Sequence, residues 1–520
     1  MSALLALANE TLLDIIEDVR PDDLLNLALS CKRMLALSQE CLELHGRRSK
    51  TYASVKFHGC PRHDNDSHPL ALLRDIFNDW RIAFYPRSMT IQCCDCRGRF
   101  VSYNEHKEAR EEIDDDDDGD SEEVEDIEDT DPFDREIKGF ERNIMKNINQ
   151  TGHPRHQASK VKEWGIGKRG AMLGLLLTML PNLEDLTLEK YTWGANTFRT
   201  ILWNIVEANL DPDYPGSALL TKIKKVVVFD SVSNRYEDAE VFGCFAFLPS
   251  MEVLYGNGVA STWGTDEDDT DYRWPRRDDQ TSAISAIEFQ NSTISIGYFS
   301  QLLRGITRLR KFTYDCAGGY NGADPYRLID ILLLYSKTTL ERLEIKGFAC
   351  EQFESEDGAG NGSLRDFEVL KDIHVHARLW AIGDEDYTEA MDPEEDYEAE
   401  EGAFIPLVDT LPSCIETVQL EGVYHMRNVD HLLTGLTGPK GRRLRNLRKV
   451  VFQDVESPSD IWEEVARAWK ECCAVLGVSL EFEWDILSLD FSAFSTRNIL
   501  NAKTTACAKI GIGTGYAAEY

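Results

Sequence analysis

One six-residue phrase recurs along the later two-thirds of this chain: apolar, two others, apolar, one other, apolar. It reads Leu183-Leu186-Leu188, Ile223-Val226-Val228, Ile284-Ile287-Phe289 and Leu309-Phe312-Tyr314. It returns as Leu340-Leu343-Ile345, Leu370-Ile373-Val375, Ile415-Val418-Leu420 and Leu447-Val450-Phe452. Met251-Leu254 is a shortened copy ending at Gly256, and Val478, Leu480, Phe482 and Trp484 form a last alternating run. Apolar residues two apart predict a strand with one buried face. Copies begin roughly 25 to 45 residues apart, the spacing of a repeat architecture with insertions.

Helical periodicity fills the intervals, most clearly over Arg169–Leu180, Phe198–Leu210, Tyr298–Ile306, Pro325–Tyr335 and Ile461–Leu476. The stretch Pro325–Ile345 holds helix, turn and strand in order. One such unit cannot bury its apolar face alone, whereas stacked copies share a continuous core. The expected class is α/β, with parallel strands and covering helices over residues 166–485. An ordinary parallel-sheet domain whose strands share the phrase by chance is the plainer alternative.

A different pattern occupies Leu7 to His45. Leu12, Leu13, Ile15, Ile16 and Val19 gather at helical spacing, Pro21 ends that helix, and Asp22 offers an N-cap to the next. Leu24, Leu25, Leu27 and Leu29 follow. Ser30 offers a cap to a third helix through Met34, Leu35, Leu37, Leu42 and Leu44, with Gly46 as its stop. About forty residues cannot cover so much leucine by themselves.

This stretch resembles an F-box. The resemblance is carried by Leu7, Ala8, Glu10, Leu12, Ile15, Ile16, Asp23, Leu24, Leu25, Leu27, Ser30, Cys31, Lys32 and Arg33. Ala8 stands where the family usually has proline, and Met34 where it often has an aromatic residue. The resemblance implies docking onto a Skp-type adaptor and, through it, a cullin–RING ubiquitin ligase of SCF type. Leu7, Ala8, Leu12, Ile15, Ile16, Leu24, Leu25, Leu27 and Cys31 are then the expected adaptor-binding set. The later phrases resemble irregular leucine-rich repeats from which the usual asparagine turn is mostly missing. The whole is similar to divergent F-box proteins of filamentous fungi: a three-helix F-box, then a leucine-rich-repeat-like solenoid. The expected division is 1–46 F-box, 47–165 linker region, 166–485 repeats, and 486–520 cap and disordered tail.

Charge narrows the partners. The 520 residues carry a net charge of -35, which repels nucleic-acid phosphates. Fifteen of the twenty-one residues from Glu111 to Asp131 are acidic, and such a run stays extended and solvated. Further acidic insertions fall at Asp266–Asp271, Glu351–Asp357 and Asp384–Glu401, so a basic substrate segment is the partner they suit. Thirteen cysteines at irregular spacing, without a basic leader ahead of MSALLALANE, point to a reducing cytoplasmic or nuclear setting. The most apolar run, Ala171–Leu180, is too short to span a bilayer.

Candidate chemistry is sparse. Cys93 and Cys96 form a CxxC, and His58 with His63 or Cys60 would complete a tetrahedral zinc set. There is one such pair rather than two, and the histidine spacing is not that of a standard knuckle, so no metal and no cofactor is expected. GxxxxGK[ST], GxSxG and HExxH are absent. Gly165, Gly167 and Gly170 precede a helix without a leading strand, which suits a flexible entry to the first repeat better than a dinucleotide loop. No catalytic role is expected.

Side chains that flank the buried strand positions face the other side of the sheet, the concave face of a solenoid. Tyr255, Glu288, Lys311, Arg342, His374, His376, Gln419 and Lys449 are the substrate-binding candidates there. The competing reading is an acidic repeat protein outside any ligase, binding basic nuclear proteins.

Overall fold

In the computed structural model the described residues are 6–58, 69–92, 169–189, 195–210, 219–229, 237–261, 282–316, 323–347, 363–382, 403–422, 426–439, 441–456 and 460–485. They form an α/β protein in two compact units, Met1–Glu237 and Asp238–Tyr520.

The first unit opens with four helices: α1 (Asn9–Asp18), α2 (Pro21–Leu29), α3 (Lys32–Leu37) and α4 (Gln39–Tyr52). Leu12, Ile16, Leu24 and Met34 make their core, with Val19, Leu27, Cys31, Leu37, Cys41 and Leu42 packed around it. Three sequence expectations fail here. Pro21 does more than end a helix: it is the first residue of α2, where its missing N–H costs nothing, and Arg20 rather than Asp22 is the N-cap. The cap of α3 is the Cys31 thiol, which accepts from the Met34 N–H at 3.4 Å, in place of Ser30. Gly46 does not stop the next helix, because α4 runs through it to Tyr52.

Four described strands follow: β1 (Ser54–His58), β2 (Ser88–Gln92), β3 (Asp185–Glu189) and β4 (Lys225–Phe229). They pair in that order and all in parallel. Parallel neighbours need crossovers, and helices supply them: α5 (Pro69–Asn78), α6 (Arg169–Met179) and α7 (Ala195–Leu210). The expectation of a linker over 47–165 is therefore corrected: the repeat pattern begins at Ser54. Helix α5 gives way at Asp79, whose carboxylate accepts the Arg81 N–H and caps a 3-10 turn (Trp80–Phe84). Trp80, the first residue of that turn, is exposed.

The second unit carries eight described parallel strands that pair in chain order: β5 (Val253–Asn257), β6 (Ala286–Ser292), β7 (Lys311–Cys316), β8 (Arg342–Lys346), β9 (Asp372–His376), β10 (Thr417–Glu421), β11 (Lys449–Glu456) and β12 (Ser479–Asp485). Helices α8 (Ala239–Ala246), α9 (Ile296–Arg304), α10 (Pro325–Ser336), α11 (Leu407–Thr410), α12 (Met426–Leu433) and α13 (Asp460–Val475) lie between them in sequence.

Register stacks phrase on phrase: Leu343 lies opposite Phe312 and Ile373, and Val418 opposite Ile373 and Val450. The apolar residues of the eight full phrases are all buried. Phe299 of α9 meets Phe289, Phe312 and Tyr314 edge-on at 5.1–5.6 Å between ring centres, so the alternating positions face the helices. Tyr314 brings a hydroxyl into this core, where it accepts from the backbone N–H groups of Ile294 and Ala323.

Candidate functional site

Two surfaces follow from this architecture, one on the helices of the first unit and one on the second unit's sheet. The helical core sorts the expected adaptor set. Leu12, Ile16 and Leu24 are buried inside it, Ile15, Leu27 and Cys31 are half-buried, and Leu7, Ala8 and Leu25 are exposed. Leu13 and Leu35 join Leu7 outside at 36–44% exposure, and Leu25 and Leu29 reach 52% and 64%. Leu25 and Leu29 are four apart and so share one face of α2. Ala8 holds φ -63° as the N-cap of α1, a conformation that proline also adopts. Arg33 ties the chain start to α3, donating to the Leu7 carbonyl at 2.9 Å and to Asn9.

A polar joint mounts these helices on the rest of their unit. Asp79 receives Arg48 at 2.6 Å and Arg81 at 2.7 Å, while Arg81 also donates to the Glu17 carbonyl. Burial works against the Asp79 charge, but hydrogen bonds from Arg81 outweigh it and hold the carboxyl below its usual range. The Tyr52 hydroxyl donates to Asp75 at 2.8 Å; burial first, then that bond, pushes its pKa up to about 12. Buried Asn182 donates to Asp22 and to the Phe84 carbonyl, and accepts from Lys222.

On the second unit, strand alternation puts a row of polar side chains on the face away from the helices. Most of the expected residues there have a side-chain partner. Tyr255 donates to Gln290 at 2.6 Å, Lys311 meets Glu288 at 2.6 Å, and Lys449 meets Glu481 at 2.8 Å. Arg342 lies 3.7 Å from Glu344. Gln419 is the register partner of His374, and His376 that of Glu421. His376 also packs where Gly422 leaves room: a Cβ there would lie 2.1 Å from its ring.

The row closes around His374. Its Nε2 is 2.6 Å from Glu421 and 3.1 Å from Gln453, and its Nδ1 is 3.5 Å from Glu344. Lys346 reaches Glu344 at 2.7 Å and Glu421 at 3.7 Å. Burial opposes charge on the His374 ring, but hydrogen bonds to Glu344 and Glu421 prevail and raise its pKa. The bond from His374, opposed by burial and joined by Lys346, lowers Glu344 to about 2. Burial likewise opposes the Glu421 charge, and His374 overcomes it and lowers that pKa. Asp315 goes the other way, raised chiefly by burial. This is an ion cluster that ties β8, β9 and β10 together.

Lys346, Glu421 and Gln453, central to that cluster, escaped the candidate list. They stand one residue past the last apolar position of their phrases, and the strands run on. Continuing the alternation by one step would have found them. Of the zinc candidates, Cys60, His63, Cys93 and Cys96 lie outside the described residues, as does the His58 side chain. So do the acidic stretches 111–131, 266–271, 351–357 and 384–401, the tail 486–520, and Gly165 and Gly167. Among the described residues, no group of three His, Cys, Asp or Glu side chains is placed to hold a metal ion, and no helix is long and apolar enough to cross a membrane.

No protein-family model matches this sequence, and no curated protein matches it. One solved structure that resembles it is described as "Crystal structure of TLR13-ssRNA13 complex", at 12% identity and a TM-score of 0.22, covering 62% of this chain. The match spans about half that protein's length, at 50%. A similarity that low supports no argument, and the α/β assignment rests on the strand pairing itself.

Proposed function

We propose that this chain is a non-catalytic substrate receptor of an SCF-type, cullin–RING ubiquitin ligase, acting in the cytoplasm, the nucleus or both. Its N-terminal helices dock a Skp-type adaptor, and its repeats bind a protein substrate. The observation that supports this most is that the helices complete their own core yet leave Leu7, Leu13, Leu25, Leu29 and Leu35 outside it. Exposed leucine on a self-sufficient helical cluster suits an apolar partner. The F-box resemblance names that partner. The chain's contribution is effective concentration, holding a substrate near the conjugating enzyme carried by the ligase.

The test is co-purification of the full chain with a Skp-type adaptor and cullin, beside a full-length Leu25→Glu/Leu29→Glu variant. Wild type is expected to recover both partners and the variant neither, with unchanged helix content. Equal recovery by the variant, or none by wild type, sinks the reading. Capture of basic nuclear proteins without the adaptor, lost on deleting residues 111–131, would favour the acidic interaction protein instead.

A further inference from the structure

Against its strongly acidic background the second unit carries a local reversal of sign. From His431 to Gln453 no acidic residue occurs, and Lys440, Arg442, Arg443, Arg445, Arg448 and Lys449 crowd into ten positions. In the second unit this stretch leads into β11 through a short 3-10 turn, Gly441–Arg443. Leu444 and Leu447 are buried and fix the turn. The residues three apart around them, Arg442, Arg445 and Arg448, are exposed.

Elsewhere along the strand starts of this unit, basic side chains meet acidic neighbours. Arg310 and Lys371 both approach Glu341, at 3.8 and 3.5 Å, and at the end of the basic stretch itself Arg448 approaches Glu416 at 3.8 Å and Lys449 meets Glu481 at 2.8 Å. Arg442 and Arg445 lack a carboxylate partner among the described residues; the Arg445 Nε donates to the Arg442 carbonyl at 3.2 Å. Arg443 turns inward, donating to the Val408 carbonyl, with Asp409 and Arg365 beside it. Burial, then the Arg365 charge, lowers its pKa, with Asp409 acting the other way.

We propose that this arginine turn is a docking site for an acidic, Asp/Glu-rich protein segment. Guanidinium groups pair with carboxylates as two-pronged donors. Held on a turn pinned by two buried leucines, they lose little freedom on binding. The chain's net charge favours a short carboxylate segment over nucleic acid: a few side chains need only the turn, whereas a polyphosphate backbone extends its charge across the acidic surroundings. The site is independent of the ligase reading and uses none of the helices assigned to it.

The experiment is fluorescence anisotropy of a labelled tetraglutamate with the full-length protein in low salt. Saturable binding is expected, weakened at least tenfold by Arg442→Glu/Arg445→Glu and unaffected by Lys50→Glu on the first unit. An Arg442→Gln/Arg445→Gln variant, which carries no added negative charge, is expected to lose most of the binding too. Absence of saturable binding, or an equal loss with Lys50→Glu, overturns the proposal. Tighter binding of single-stranded RNA of equal length would overturn it in favour of a nucleic-acid surface. Binding that appears only after deletion of residues 384–401 would overturn it by assigning the turn to the chain's own acidic insertion.

Discussion

On the N-terminal helices, leucines stand in solvent around a closed apolar core, whereas on the sheet of the second unit the polar face pairs nearly every charge it presents. Leu25 and Leu29 are more than half exposed. Glu288, Glu344 and Glu481 each have a lysine within 3 Å, and Glu421 has His374 at 2.6 Å. The difference separates two ways a surface meets another molecule. Exposed leucine gains free energy when covered, at roughly 25 cal/mol per Å². A charge already paired must first be stripped of its partner, so the His374 cluster holds its own strands together before it offers anything to a ligand. Arg442 and Arg445, on either side of Leu444, lack a carboxylate partner among the described residues, and for that reason are the better candidates for electrostatic recognition.

The largest expected effect contrasts buried with exposed apolar side chains. Phe312→Ala removes a ring that is 0% exposed and touches Phe299, and should destabilise the protein by about 3–5 kcal/mol. Leu25→Ala, on the open helix face, should stay within about 0.5 kcal/mol. Urea denaturation of the full chain measures both. A Leu25→Ala cost of several kcal/mol would show that this leucine belongs to a core, and the contrast would collapse.

Next comes Gly422, which ends β10 with φ +69°. A side chain there is strained by the backbone and collides with the His376 ring. Gly422→Ala should cost about 1–3 kcal/mol and speed amide exchange in β9 and β10. Unchanged exchange in both strands would mean that the ring is free to move aside.

The paired face should also carry its own pH signature. Glu344 is lowered to about 2 from an ordinary 4.5, so its stabilisation is present above 4.5 and lost as pH falls toward 2. His374 is raised above 6.5, so its contribution is complete below 6.5 and lost as pH rises through the folded value. The cluster therefore contributes most between about 4.5 and 6.5. Glu344→Gln should cost on the order of 2 kcal/mol in that window and less at pH 3 or pH 9. Hydrogen exchange at residues 372–376, wild type against variant, reads it locally. A difference that does not vary with pH would remove His374 from the cluster.

Much of the fold was legible because one constraint wrote both the pattern and the core. Alternation with period two and burial on one face are the same requirement, and Leu343 or Val418 satisfies it with no competing role. The first two strands were missed because their phrases are disguised. They read Tyr52-Val55-Phe57 and Pro86-Met89-Ile91, with a tyrosine and a proline at the lead apolar position. Tyr52 is kept for its hydroxyl, which reaches Asp75. On the helices, composition identified the leucines but not their sides, since Leu24 and Leu25 differ only in which direction α2 turns them. The His374 cluster was half visible: alternation gave His374 and Arg342, but Gln453 joins it from β11, beyond the neighbouring strand.

The smallest effect bears on the helices, where sequence and structure part over one residue. Gly46 reads as a stop signal, yet it lies inside α4 with six helical residues after it, Arg47 to Tyr52. A Cβ built at Gly46 has nothing within 4 Å, so the position is open as well as helical. Glycine in a helix interior costs backbone entropy that alanine does not. Gly46→Ala should therefore stabilise the first unit by about 0.5–1 kcal/mol, read as a higher denaturation midpoint at an unchanged slope. Destabilisation instead would mean that the helix ends at Gly46 in solution. The α4 contact beyond it, Tyr52 with Asp75, would then have no continuous helix to carry it.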